Sequence, residues 1–247
     1  MNHHNDFILS PITNILQEAV IASTGIGNGI ETHLLYDYIM QSIFLKMTGF
    51  QEQKMKCISW ELASNDYEYR YEFTRNPLGE CSSYKEKQSV YKNIIKLIKK
   101  HIPDFNIQDN IDKEAIIKDS TSFVVDIFAN TNLSTWAERK YNEHVDICNE
   151  IKSIHFANDN NNLFAEINKG FSLKKIYEEH LYISRNRCAH NTQSYQQNLP
   201  TLKRLSDDNF RYENFYIWFV VLVLIDNIFI ELYKKYLSVL DTVQNFV

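Results

Sequence analysis

Glycine and proline, the residues that most often form tight turns, are scarce in this chain, with six glycines and four prolines among 247 residues. An all-β protein of this length needs many more of them, because short strands follow one another through such turns. Most of the chain instead carries apolar residues three and four positions apart, which is the spacing of one face of an α-helix. The sequence therefore predicts an all-α helical bundle.

The apolar spacing also locates the helices along the chain. We expect helices over residues 7–22, 30–48, 84–101, 112–130, 134–156, 172–190 and 209–239. Gly49 is expected to end the second helix, whereas Ser134 and Ser172 are expected to begin the fifth and sixth as N-caps. Residues 52–74 fit a helix or a strand, and a helix is favoured because no second strand is evident to pair with them.

The glycine-rich segment 25–29 is a predicted loop between helices. A dinucleotide-binding loop follows a strand, so the helical flanks of this segment argue against that function. We divide the chain near this loop into an N-terminal helical segment, residues 1–28, and a helical domain, residues 29–247.

The formal net charge of −5 limits how the chain can contact nucleic acid. A protein that covers nucleic acid with its whole surface is normally basic, so contact with RNA is expected at a small positive site. The four cysteines are widely spaced and form neither a CxxC pair nor a cluster with histidine, which argues against a zinc site or a disulfide framework. We therefore expect no metal and no cofactor, and a reducing cytoplasm as the compartment.

One stretch of the chain invites comparison with a membrane span. Residues 215–225 are all apolar, but a bilayer requires about 20 such residues, and Asp226 interrupts the run. The sequence therefore predicts a buried helix here and no membrane partner. The first residues of the chain also lack the basic start of a signal peptide.

The strongest chemical signal lies in the six residues from Arg185 to His190. A guanidinium binds phosphate oxygens in a bidentate way, and an imidazole transfers protons near neutral pH. Along one helix, residues five apart diverge by roughly 140° and about 7.5 Å, so a single copy does not form a compact site. Two copies related by a two-fold axis would present two arginines and two histidines around one groove.

Arg185, Asn186 and His190 resemble the motif of the HEPN superfamily, which is an arginine, commonly a polar residue next, and a histidine after four to six residues. The location agrees, because HEPN domains are small helical bundles with the motif between two late helices. The resemblance implies a HEPN-like bundle in which the motif lies between the last two long helices. It also implies a metal-independent endoribonuclease that acts as a homodimer, in a superfamily rich in toxins and bacterial defence effectors.

The resemblance assigns catalytic roles to Arg185, His190 and Asn186. His190 would move a proton at the ribose 2′-oxygen or at the leaving 5′-oxygen, and Arg185 would neutralise charge on the phosphorane. Asn186 would hold the geometry of the site or bind a phosphate oxygen. Basic residues within and around the motif are RNA-binding candidates: Arg187, Lys174, Lys175, Lys203 and Arg204.

The chain departs from one HEPN subgroup. In HEPN toxins that pair with nucleotidyltransferase antitoxins, a tyrosine often stands two residues after the histidine, where this chain has Thr192 and the nearest tyrosine is Tyr195. Control by that antitoxin is therefore not expected, although another antitoxin or a defence-complex protein is a candidate partner. Glu31 is a candidate for the early acidic residue that some HEPN proteins place near the motif.

A second interpretation of the same residues stays open. Cations are common near helix C-termini because they interact favourably with the helix dipole. Arg185 and Arg187 would then be charges at a helix end and His190 a C-terminal cap. The chain would be a non-catalytic helical module that dimerises or docks into a larger defence complex.

Overall fold

The computed structural model describes residues 3–27, 29, 32–159, 161–190 and 208–244. These residues are mostly helical, which confirms the all-α prediction, apart from one short antiparallel hairpin. The helices in the first half are α1 (His3–Leu9), α2 (Thr13–Ser23), α3 (Leu35–Asn65), α4 (Tyr67–Arg75), α5 (Tyr84–His101) and α6 (Ile107–Asn110).

The second half contains further helices and the hairpin. In order they are α7 (Lys113–Phe128), α8 (Asn132–Trp136), α9 (Glu138–Cys148), β1 (Phe156–Asp159), β2 (Asn162–Phe164), α10 (Leu173–Lys175), a π-helix (Ile176–Leu181), α11 (Tyr182–His190) and α12 (Phe215–Gln244). Short 3₁₀ turns, Ser153–His155 and Asp208–Tyr212, precede β1 and α12. The motif therefore lies on α11, just before the long last helix, as expected.

Side-chain caps explain where several of these helices begin. Ser83 and Glu86 form a capping box at the start of α5, since each side chain hydrogen-bonds to the other residue's backbone N–H. Asp66 accepts from the backbone N–H of Tyr69 and starts α4, and Asp112 caps α7 in the same way. Residues 52–74 are thus helical, as favoured, but they belong to two helices separated at Asp66.

Two predicted helix boundaries are wrong. Gly49 does not end a helix, because α3 continues through it to Asn65. A helical glycine costs about 1 kcal/mol relative to alanine, and the burial of α3 side chains on both sides of Gly49 outweighs that cost. Ser134 is not an N-cap either, because Thr131 accepts from the Ser134 backbone N–H and Ser134 lies inside α8.

The helix expected over 134–156 is also wrong in its last part. Helix α9 ends at Cys148, and residues 156–164 form the hairpin instead. Ala157 has a φ of +45° and the strand pairing is irregular. The hairpin therefore lacks the regular alternation of apolar and polar residues that indicates a strand in a sequence.

Helix α12 is the centre of the core. It packs against α7, α5, α3 and α9, and nearly every residue from Tyr216 to Ile230 is buried. Its length and hydropathy alone would allow a membrane span, but 83% of its most apolar window is buried inside the bundle. It is the only such helix among the described residues, and its burial agrees with the predicted core helix.

The expected helix over 7–22 is two helices, α1 and α2, joined at Pro11. A buried ion pair holds this joint against the core, with Lys54 Nζ 2.5 Å from Asp226 Oδ1. Lys54 also donates to the Ser10 carbonyl at 2.7 Å, and the Ile12 backbone N–H donates to Asp226 Oδ2 at 2.9 Å. Both helices contribute to the same buried cluster as α3 and α12.

Candidate active site

The helical segment 173–190, here called the motif helix, carries the arginine and histidine of the motif. Ser172 accepts from the Lys175 backbone N–H and starts this segment, which confirms the predicted N-cap. The π-helix follows, closed by a bond from the Tyr182 N–H to the Tyr177 carbonyl five residues back. A π turn holds one extra residue, so it rotates the following helix by about 100°, and such turns are frequent at functional sites.

Arg185 extends from α11 to Glu52 in the middle of α3. Its Nη2 lies 2.9 Å from Glu52 Oε1 and 3.1 Å from Oε2, and the two side chains are 20% and 10% exposed. Nη1 donates to Asn186 Oδ1 at 3.1 Å. The Arg185 Nε is buried and has no hydrogen-bonding partner among the described residues. The guanidinium is thus held by Glu52 and Asn186, and one fifth of the Arg185 side chain is exposed.

Sequence reasoning missed Glu52. It lies 133 residues before Arg185 and is an ordinary acidic residue within the long helix α3. No local spacing distinguishes it from the other glutamates of the chain, so only the packing of α11 on α3 identifies it. Glu31, the acidic candidate from the resemblance, lies outside the described residues.

A buried lysine lies on the inner side of this ion pair. Lys87 on α5 is enclosed, and its Nζ donates to the Cys81 carbonyl at 2.8 Å and lies 5.9 Å from the centre of the Tyr177 ring. Burial lowers the pKa of Lys87 to about 8, Glu52 opposes that fall, and Arg185 adds to it. The charges of Glu52 and Arg185 therefore both act on Lys87.

His190 lies at the exposed end of α11. The described residues provide neither an ion pair nor a side-chain hydrogen bond for it. Because α11 is helical through both residues, Arg185 and His190 diverge by roughly 140° around the axis and about 7.5 Å along it. The structure of one chain therefore does not bring the two groups of the motif together.

Arg187 lies at the rim of a small cavity of about 200 Å³. The cavity lies between α11, the start of α12 and Gln41 of α3, with Cys188 and Trp218 among its lining residues. Arg187 is half-buried, and it has no hydrogen bond or ion pair to the described part of the chain. An unpaired guanidinium at the mouth of a cavity can receive a phosphate oxygen.

The other basic candidates are distant or not described. Lys174 forms an ion pair with Glu166 at 3.0 Å, and Lys175 donates to the Asn168 carbonyl at 3.3 Å. Both lie at the first turn of the motif helix, about 20 Å from His190 along the axis. Lys203 and Arg204 lie outside the described residues, as do Thr192 and Tyr195.

A larger cavity of about 680 Å³ lies beside the first turns of the motif helix. Its charged lining groups are mostly paired: Arg211 contacts Glu150 at 2.9 Å, and His180 contacts Glu213 at 3.0 Å. His180 is nearly buried. This cavity lacks the open cation that distinguishes Arg185 and Arg187.

The part of the chain that the structure describes has no cluster of three or more histidine, cysteine, aspartate or glutamate side chains that could hold a metal. Comparisons of the chain with known protein families, curated proteins and solved structures gave no match. Function therefore has to be argued from the site itself. Its defining feature is one arginine fixed by an acid at the bundle edge and one histidine exposed on the same helix.

Proposed function

We propose that the protein is a metal-independent endoribonuclease of the HEPN type that acts as a homodimer. One observation carries the proposal. Arg185 is fixed by Glu52 and Asn186 but keeps one fifth of its side chain exposed, while His190 is exposed at the end of the same helix. A fixed cation together with an accessible imidazole is the minimal equipment for cleaving RNA without a metal.

The ribose 2′-oxygen is the attacking group in this reaction, and DNA lacks it. The 2′-hydroxyl loses its proton, a bond forms between the 2′-oxygen and phosphorus, and the bond from phosphorus to the 5′-oxygen breaks. The leaving 5′-oxygen gains a proton, so the products are a 2′,3′-cyclic phosphate and a 5′-hydroxyl. His190 carries one of these proton transfers, and Arg185 stabilises the extra negative charge of the phosphorane.

The divergence of Arg185 and His190 along α11 is the reason for proposing a homodimer. A two-fold axis beside α11 would place the histidine of one chain near the arginine of the other. The surface near this face suits such a contact, because Leu34 and Tyr38 at the start of α3 are 84% and 73% exposed. Gln41, three residues after Tyr38, lines the cavity at Arg187, so this apolar surface adjoins the proposed site.

Asn186 and Arg187 complete the proposed site. Asn186 accepts from the Arg185 guanidinium and so limits its orientations. Arg187 would bind a neighbouring phosphate of the RNA strand. The proposed biological role is a bacterial defence or toxin component of the cytoplasm, with an antitoxin or a defence-complex protein as a partner.

The test is to incubate total RNA with the wild type in EDTA and to map the ends of the products. We expect cleavage that leaves 2′,3′-cyclic phosphate and 5′-hydroxyl ends, and its loss in Arg185→Ala and His190→Ala. His101→Ala is the matched control, because His101 is also exposed at the end of a helix. Cleavage that survives both motif substitutions, or that requires a metal, would overturn the proposal.

The alternative, a non-catalytic docking module, is favoured by the ion pair that occupies Arg185. It makes a different prediction for His190. If His190 is a structural cap, its replacement by alanine lowers the free energy of unfolding and no RNA is cleaved. If His190 is catalytic, the same substitution abolishes cleavage and leaves thermal unfolding almost unchanged.

A further inference from the structure

Lys87 is a fully buried cation for which the mechanism above has no role. Burying a lysine disfavours its charged form, so a buried lysine needs compensation from nearby groups. Around Lys87 these are the Cys81 carbonyl, the face of the Tyr177 ring and the carboxylate of Glu52. Glu52 is also the partner of Arg185, so one carboxylate interacts electrostatically with two cations.

The charges of this cluster determine whether Arg185 can bind a phosphate. An arginine paired with one glutamate has a net charge of zero and attracts an anion weakly. With Lys87 protonated, the set of Arg185, Glu52 and Lys87 has a net charge of +1. Because the protein as a whole is acidic, this local charge matters for a polyanionic substrate.

We propose that Lys87 is a positioning residue for RNA binding: from inside the bundle it balances the charge of Glu52, so that the Arg185 guanidinium stays free to bind a phosphate. The inference rests on the proposed function and assigns a role to a residue that touches neither RNA nor the reacting atoms. Tyr177 links the two parts, since it lies against Lys87 and belongs to the π-helix that leads into α11.

The inference predicts a dependence on pH. Lys87 is charged below its pKa of about 8 and neutral above it, so the net charge of the cluster falls from +1 to 0 as pH rises through 8. The other groups that act on Lys87 do not titrate in that range. Burial raises the pKa of Cys81 to about 11 and that of Tyr177 well above its usual value. The pKa of Glu86 lies below its ordinary acidic value because hydrogen bonds from Ser83 outweigh the effect of burial, and a guanidinium keeps its charge.

The experiment measures the affinity of an RNA oligonucleotide with 2′-O-methyl sugars, which cannot be cleaved because the 2′-oxygen is blocked. Lys87→Met keeps the volume of the side chain and removes its charge. Lys85→Met is the matched control, because Lys85 is exposed on the same helix and its loss changes the total charge equally. We expect binding roughly tenfold weaker for Lys87→Met at pH 7, the order expected for one unit charge at short range, and less than a twofold change for the control.

A second substitution separates charge balance from a structural role. In Lys87→Met, Glu52 is left to neutralise Arg185 alone, so adding Glu52→Gln should restore most of the affinity. Circular dichroism gives the folded fraction of each variant. If Lys87 only held the fold together, the folded fraction of Lys87→Met would bind with wild-type affinity, and that result would overturn the inference. Equal affinity for Lys87→Met and Lys85→Met would overturn it as well.

The outcomes distinguish this inference from the proposed function. RNA cleavage by the wild type with unchanged affinity in Lys87→Met contradicts only the role of Lys87. Absence of cleavage by the wild type contradicts the ribonuclease proposal, but the RNA affinities of the variants still decide the role of Lys87. A wild type that binds no oligonucleotide contradicts both the ribonuclease proposal and the role of Lys87. If Lys87→Met fails to fold, the RNA affinities of the wild type and of Lys87→Arg are compared from pH 7 to 9. The wild type should lose affinity near pH 8, and the arginine variant should not. Equal pH profiles for the two proteins would overturn the inference.

Discussion

The ion pairs Lys54–Asp226 and Arg185–Glu52 both join α3 to a later helix, but they differ in exposure and in how completely their polar atoms are used. The first pair is 0% exposed on both sides, and both of its side chains make additional hydrogen bonds to the joint between α1 and α2. The second pair lies at the bundle edge, with the Arg185 Nε unpaired and a third charge, Lys87, behind it. A closed pair can only stabilise a packing arrangement, whereas an open pair can exchange a partner for a ligand.

The pKa values of the closed pair agree with its complete burial. In the closed pair, burial lowers the pKa of Lys54 and raises that of Asp226, so both ionised forms depend on each other. Replacing one member leaves a buried, unpaired charge, which is among the costlier changes in a protein. The open pair is less enclosed, because the side chains of Arg185 and Glu52 are 20% and 10% exposed.

The largest expected effect concerns the closed pair. Lys54→Met should lower the free energy of unfolding by about 3–5 kcal/mol, because Asp226 loses its buried counter-ion. Urea denaturation of the variant and the wild type measures this difference. The double variant Lys54→Met and Asp226→Leu should recover part of the loss, because no unpaired charge then remains. A loss below about 1 kcal/mol for Lys54→Met would mean that the closed pair is not structural.

The open pair is expected to show the opposite pattern. Arg185→Ala should reduce the rate of RNA cleavage by at least about 100-fold, the cost of removing one group that stabilises transition-state charge, with little change in stability. Single-turnover cleavage and thermal unfolding test the two parts separately. Arg139→Ala is the control, because Arg139 is 90% exposed and forms only a local ion pair with Glu143. A variant that unfolds instead of losing activity would place Arg185 with the closed pair.

Two histidines extend the comparison to pH. His144 is fully buried and hydrogen-bonds to the Tyr141 carbonyl through Nδ1, whereas its Nε2 has no partner within the described chain. Burial lowers the pKa of His144 to about 4. Its folded-state pKa lies below the unfolded value of about 6.5, so its contribution to stability is complete above pH 6.5 and is lost as pH falls toward 4. The loss should reach about 2–3 kcal/mol.

Unfolding free energies measured between pH 7 and 4 test this expectation. His144→Phe should flatten the pH dependence, since the substituted side chain does not titrate. His190→Phe, a change at an exposed histidine, is the matched control. Equal effects of the two substitutions would show that burial does not separate these histidines.

The same contrast explains which features could be predicted from sequence. Helix α5 was predicted accurately because its apolar face repeats regularly and Pro103 follows it closely. The buried run in α12 was predicted from its length and from Asp226, the residue that interrupts it. These features depend on residues within one helix turn of each other, where a single sequence carries the whole signal.

Features that depend on contacts between distant segments were missed. Nothing near Glu52 or Lys87 in the sequence indicates that both lie beside Arg185, because that proximity arises from packing of α3, α5 and the motif helix. Gly49 resembles a helix end locally, but long-range burial of α3 overrides the local preference. The motif itself was found because an arginine and a histidine lie five residues apart, and that spacing left the position of their partners undetermined.

The smallest expected effect concerns the two lysines at the first turn of the motif helix. Lys174 is paired with Glu166, and both lysines lie about 20 Å from His190 along the axis, which is beyond the screening length at physiological salt. Lys174→Gln and Lys175→Gln should each change the affinity for the 2′-O-methyl RNA oligonucleotide by less than about twofold. Arg187→Gln removes a guanidinium that has no ion pair or hydrogen bond to the described residues, and it should weaken binding several-fold more. RNA-binding titrations at low and physiological salt compare the three variants. A larger loss of affinity for the lysine variants than for Arg187→Gln would extend the RNA-binding surface along the whole motif helix, away from the open pair.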